Sequence, residues 1–117
     1  MVVDDEPMIR KLVASALKVS GCCVVDVESP VHAIGMMDSH PELDLLVTDV
    51  MMPEIGGCEL AERMRKLRPG LKVLFISGFA PGDVVTDPAQ GTDFLQKPFR
   101  VRELTERVAR MLGGVVR

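Results

Sequence analysis

The sequence predicts an α/β domain: one parallel sheet held between two layers of helices. Two apolar runs of strand length, Leu45-Leu46-Val47 and Val73-Leu74-Phe75-Ile76, lack any polar alternation. Strands covered on both faces read this way. Strand-like and helix-like stretches then alternate along the chain with no hairpin turn between them. That order builds a sheet with helices on both faces.

At 117 residues the natural count is one domain. Hydrophobic residues make up 47%, enough for one core, but aromatics only 3%, so aliphatics and eight Met must fill the interior. The net charge of −3, with thinly spread Lys and Arg, argues against direct nucleic-acid binding by this chain. Arg63, Arg65, Lys66 and Arg68 read as a solvated helix face. Three cysteines, two of them adjacent (Cys22 and Cys23, with Cys58), imply reduced thiols and a cytoplasmic setting. His32 and His40 stand alone as surface or helix-end residues. No leader is evident, and no apolar run nears the roughly 20 residues that a membrane span needs, so membrane insertion is not expected.

Taken in order, Met1-Val2-Val3 is a short first strand that ends on Asp4-Asp5-Glu6. Three consecutive acids repel one another unless a cation or solvent relieves them. Pro7 suits the first turn of a helix, and the acids before it suit the positive end of the helix dipole. That helix should run from 7 to 19, with Ile9, Leu12, Val13, Ala16 and Leu17 inward and Gly21 as its stop. Residues 22–27 are rich in β-branched side chains and read as the second strand. Ser29 then caps a second helix with Pro30 at its first position. It should reach about 39, with Ala33, Ile34 and Met37 inward, flanked by Val31, and stop ahead of Pro41.

The third strand, 43–49, ends on Asp49, and a loop with Pro53 and Gly56-Gly57 follows. A helix over 58–67 turns Leu60, Ala61, Met64 and Leu67 inward, and Arg68-Pro69-Gly70 closes it. The fourth strand, 73–76, ends on Ser77-Gly78. Two prolines and two glycines between 80 and 91 leave room for one or two helical turns near 82–86, or for irregular structure. Phe94-Leu95-Gln96 is the fifth strand, capped by Lys97-Pro98-Phe99. The last helix begins at 100 or 101 and ends at 112, with Val101, Leu104, Val108, Met111 and Leu112 on one side. The domain is expected over 1–114, with 115–117 as a tail or the start of a linker.

In open parallel sheets the functional crevice lies beyond the carboxyl ends of the strands. Asp4 and Asp5, Asp49, Ser77 and Lys97 close the first, third, fourth and fifth strands, so all meet at that edge. Converging carboxylates call for a hard divalent cation, and Mg²⁺ keeps coordination positions open for phosphate oxygens. A carboxylate can itself be the nucleophile and form an aspartyl phosphate. Lys97 would add a second positive charge, and the Ser77 hydroxyl would donate to a phosphoryl oxygen, which is the positioning chemistry of phosphoryl transfer. Each residue also has a plainer reading: Asp5 as a helix N-terminal acid, Ser77 as a turn residue, Lys97 as a solvated charge, Asp49 as a cap. Their joint placement on one edge favours the chemical reading.

Val2-Val3-Asp4-Asp5-Glu6-Pro7, Val47-Thr48-Asp49-Val50-Met51-Met52-Pro53 with Gly57, Ser77-Gly78 and Lys97-Pro98-Phe99 together resemble the receiver domain of two-component response regulators, over nearly the whole chain. The resemblance implies a flavodoxin-like (CheY-like) three-layer fold with strand order 2-1-3-4-5. It implies Asp49 as phosphoacceptor from a histidine kinase or histidine phosphotransfer domain. Asp4, Asp5, Asp49 and the backbone carbonyl of Met51 are then the Mg²⁺ site, Ser77 and Lys97 the phosphoryl sensors, and Phe94 the aromatic switch position. Such a domain is a switch that assists its own phosphorylation and dephosphorylation, not an enzyme acting on other substrates, and a homodimer is compatible with it. Four departures stand out: the short stretch before Asp4, a Phe94 without a hydroxyl, large apolar Met51 and Phe79 placed to shield an acyl phosphate, and the altered stretch before the fifth strand. Ser77-Gly78-Phe79 and Leu95-Gln96-Lys97-Pro98-Phe99 lean towards receivers attached to kinases. The alternatives are a Mg²⁺-dependent phosphohydrolase, which would want an acid where Met51 stands, and a binding-only pseudo-receiver, which would not need the intact acid set.

Overall fold

Five strands, all parallel to their neighbours, form one sheet: Val2–Val3 (β1), Asp26–Val27 (β2), Leu45–Asp49 (β3), Lys72–Ser77 (β4) and Thr92–Gln96 (β5). The computed structural model describes residues 1–78 and 91–113. The strand order is β2-β1-β3-β4-β5, the flavodoxin-like order that the resemblance implied. Among the described residues the helices are Pro7–Val19 (α1), Pro30–Gly35 (α2), Gly57–Leu67 (α3) and Val101–Met111 (α4), with a 3₁₀ turn at Met37–Ser39. The expected turns near 82–86 and the tail at 115–117 lie outside the described residues.

The side-chain period of two sorts each strand between two cores. Leu45 and Val47 of β3, with Leu74 and Ile76 of β4, face Val13 and Leu17 of α1 and Leu104 and Val108 of α4. Leu46, Val73 and Phe75 face the other way, against Ala33 of α2, Met37, and Leu60, Ala61 and Met64 of α3. With so few aromatics, Met37 and Met64 are among the largest fully buried side chains, as flexible residues that fill irregular space.

α1 has the expected bounds, and Gly21 takes the left-handed conformation after it (φ +95°). Ser29 caps α2 by accepting the His32 N–H. Elsewhere the boundaries differ from expectation for physical reasons. β2 holds two residues instead of six, because the register sets Asp26 opposite Val2. Residues 22–24 then find no partner strand among the described residues. The second helix tightens into the 3₁₀ turn after Gly35, a poor helix former, where the Met36 N–H is shared between His32 and Ala33 carbonyls. Leu12, Val31, Leu67, Val101 and Leu112, expected inward or flanking, are exposed at the margins of their helix faces.

The reading of the α3 arginines needs correction. Arg63 and Lys66 do sit in solvent, paired with Glu59 and Glu62. Arg65 and Arg68 instead turn back onto the sheet ends. Arg65 donates to the carbonyls of Leu71 and Gly91, and Arg68 to those of Met37, His40 and Leu43. They add charged donors to carbonyls at the ends of strands and turns, some of which also accept a backbone N–H.

Candidate phosphoacceptor site

β3 delivers Asp49 to the carboxyl edge of the sheet, buried to 5% exposure. Its Oδ1 accepts the Met51 N–H at 3.1 Å, and its Oδ2 meets the Lys97 ammonium at 2.9 Å. The loop beyond is held down from two sides. Thr48, fully buried, donates its hydroxyl to the Asp49 carbonyl at 2.9 Å. The Gly57 N–H returns to Val50 O at 2.8 Å, so close that a Cβ at Gly57 would stand 2.0 Å from the Asp49 carbonyl oxygen.

β1, in the centre of the sheet, ends on Asp4, which is completely buried. Its Oδ1 accepts the Glu6 N–H at 2.9 Å, while Oδ2 has no hydrogen-bond donor among the described residues. Burial pushes this carboxyl above its ordinary value, the Glu6 N–H and Lys97 oppose the rise, and Asp49 and Glu6 add to it. Exposed Asp5 completes a cluster: one carboxylate oxygen each from Asp4, Asp5 and Asp49 lie within 4.8 Å of one another.

β5 brings Lys97, whose N–H donates to Ser77 O at 2.7 Å and so ties the ends of β4 and β5 together. The Lys97 ammonium lies 2.9 Å from Asp49, 3.4 Å from Glu6 and 3.6 Å from Asp4. Burial works against this charge, but the Asp49 hydrogen bond and the surrounding acids outweigh it and hold Lys97 above its ordinary value.

The structure thus gathers Asp4, Asp5, Asp49 and Lys97 into one cluster, with Met51 joined to it through its N–H. Ser77, buried, stands at the end of β4 one position beyond Ile76, the register partner of Asp49. Phe94 lies opposite Phe75 and packs half-buried on the α2–α3 side. Its N–H is donated to Asp93, and its carbonyl accepts from Arg107 at 2.6 Å. Phe79 lies outside the described residues, and Met51 is 65% exposed at the mouth of the site. Sequence reasoning passed over Thr48 and the approach of Glu6 to Lys97. The only available signal for Thr48 was a polar residue inside an otherwise apolar strand.

The donor set fits a hard cation. Three carboxylates converge, one of them fully buried with an oxygen that has no hydrogen bond among the described residues and meets the Lys97 ammonium at 3.6 Å, so one lysine is set against three acids and a cation would relieve them.

A parallel α/β sheet in the order β2-β1-β3-β4-β5, with converging acids and a lysine on its carboxyl edge, defines the class, a flavodoxin-like α/β domain. The profile of the response regulator receiver domain matches residues 1–109, and the chain belongs to that family. Receiver domains are switches of two-component systems, where they partner histidine kinases, and they generally bind Mg²⁺ at an acidic pocket. Response regulator receiver protein CpdR of Brucella abortus (strain 2308) is 33% identical over 96% of this chain and 94% of its own length. Sensor kinase CckA of the same strain is 36% identical, but this chain spans only 12% of it. The crystal structure of the receiver domain from hybrid histidine kinase CckA superimposes with a TM-score of 0.81 at 31% identity, covering 95% of each chain. No helix among the described residues is long and apolar enough to cross a membrane.

Proposed function

We propose that this chain is a Mg²⁺-dependent phosphoacceptor switch that takes a phosphoryl group on Asp49 from a phosphohistidine of a kinase or phosphotransfer domain in the cytoplasm. The observation that carries the reading is Asp49 itself, a buried carboxylate in contact with Lys97 at 2.9 Å and within 4.8 Å of two further acids. An Asp49 oxygen attacks phosphorus, the donor's N–P bond breaks, and the imidazole leaves with the electron pair and takes a proton from solvent. Asp4, Asp5, Asp49 and the Met51 carbonyl would hold the Mg²⁺, which when bound neutralises charge on the acids and on the phosphoryl oxygens. Lys97 then shifts its ammonium from the Asp49 carboxylate to a phosphoryl oxygen, and the Ser77 hydroxyl donates to another. Phe94, with no ring hydroxyl, reports the state through burial.

Intact-mass measurement with a small phosphodonor tests this. One added phosphate is expected with Mg²⁺, none with a chelator, and none in Asp49→Asn. An adduct that persists in Asp49→Asn would sink the assignment, and multiple turnover of phosphate esters would point to a hydrolase.

A further inference from the structure

Asp4 depends on a very short strand. β1 pairs through Val2 and Val3 only, and Asp4 lies one residue past the last pair. Arg10, in the first turn of α1, reaches its backbone carbonyl. The Arg10 Nη1 donates to the Asp4 carbonyl at 2.9 Å. Its Nε lies 3.8 Å from the Asp26 carboxylate on β2, and the side chain is only 11% exposed. The Arg10 N–H also donates to Glu6 O at 2.9 Å, so the guanidinium and its own helix brace the same turn. A planar fork can meet a carbonyl and a carboxylate together, which a lysine ammonium on a flexible stem does less well.

We infer that Arg10 is a positioning residue: it clamps the β1–α1 turn between β2 and α1 so that the Asp4 carboxylate stays gathered with those of Asp5 and Asp49. This role rests on the phosphoacceptor reading for its purpose, but its geometry can be measured separately. Outer partners that orient metal-binding groups are typically worth tenfold or more in metal affinity.

Mg²⁺ titration calorimetry and amide hydrogen exchange on the folded chain test the inference together. Arg10→Met is expected to weaken Mg²⁺ binding by about tenfold. It should also speed exchange of the Glu6 N–H, which is bonded to Asp4 Oδ1. Arg10→Lys should fall between, and Asp26→Asn should move both readouts the same way by less. The sign separates positioning from plain electrostatics, because removing a cation beside an acidic site should by itself strengthen Mg²⁺ binding. Arg63→Met, on the solvated side of α3, should change neither readout. Unaltered Mg²⁺ affinity together with unaltered Glu6 exchange in Arg10→Met overturns the inference. If that variant does not fold, the same null result in Asp26→Asn does so. A wild-type chain that binds no Mg²⁺ fails the phosphoacceptor reading instead, and Glu6 exchange then decides the role of Arg10 alone.

Discussion

Gly57 shows how tightly the site is built at the scale of one residue. A methyl group there would meet the Asp49 carbonyl oxygen at 2.0 Å, and that obstacle is backbone, so no side chain can swing aside. Gly57→Ala should cost roughly 1–3 kcal/mol, as overpacking does. Gly35→Ala, where nothing lies within 4 Å and the backbone is helical, should gain about 0.4–1 kcal/mol. Urea unfolding followed by far-UV circular dichroism separates the two; a chain without Trp or Tyr has little else to follow. Opposite signs are expected, and a neutral Gly57→Ala would mean that the loop does not need its close approach to Asp49. The sequence showed a Gly-Gly pair after Asp49 but not which member is indispensable. A Cβ at Gly56 would meet the nearest atom at 3.1 Å, so only three-dimensional closure distinguishes them. The acids and Lys97 were legible because they fall at the carboxyl ends of recognisable strands. Arg10 was not, since one arginine in a first helical turn looks the same whether it faces solvent or a strand end.

Among the elements, α3 carries the sharpest contrast. Its exposed arginine and its closing arginine look alike in sequence, but Arg68 supplies three carbonyls from the stretch between α2 and β3. The Met37 and His40 carbonyls also accept the N–H groups of His40 and Leu43, so removing the guanidinium takes a charged donor from each without leaving them bare. Arg68→Ala should cost about 2 kcal/mol, given the loss of hydrogen bonds from a charged group to the Met37, His40 and Leu43 carbonyls. Arg68→Lys should recover less than half, for want of the fork. Arg63→Ala breaks only an exposed pair with Glu59 and should stay within about 0.5 kcal/mol. Equal midpoints for Arg68→Ala and Arg63→Ala would contradict this division. Helix periodicity announced which side of α3 is apolar, and so Leu60, Ala61 and Met64 were legible as core. It could not announce which long polar side chains curl back around the helix end, because that depends on the loop packed beneath. The short second strand has a similar origin: β-branched residues announced strand character at 22–27, while the register against β1 decided how much of it pairs.

The whole molecule turns on β1, the two-residue strand on which both sheet halves and the Asp4 turn depend. Composition announced two-sided strands and alternating helices, and the strand ends announced the edge on which chemistry gathers. The burial of the Met1 amine against β3 was not legible. The Met1 ammonium is buried and donates to Leu45 O at 2.8 Å, and desolvation lowers its pKa from 8.0 to about 6, with a small opposing influence from Cys22. Its folded pKa lies below its unfolded value, so between pH 6 and 8 the unfolded chain binds more protons and stability rises with pH. The contribution is fully present above about pH 8 and is lost as pH falls through about 6, amounting to roughly 2–3 kcal/mol across that interval. Amino-terminal acetylation isolates it from every other titrating group. An acetylated Met1 keeps an N–H for Leu45 O, and Met1 borders a cavity of about 430 Å³ lined also by Val24, Leu43 and Leu45. Thermal unfolding of the two forms should show the acetylated chain clearly more stable at pH 6. The gap should narrow steadily towards pH 8, where the free amine is neutral in the folded state and loses little on burial. A gap that stays constant with pH would show that the amine is solvated in the folded chain, and would remove the buried charge from the account of how β1 is held.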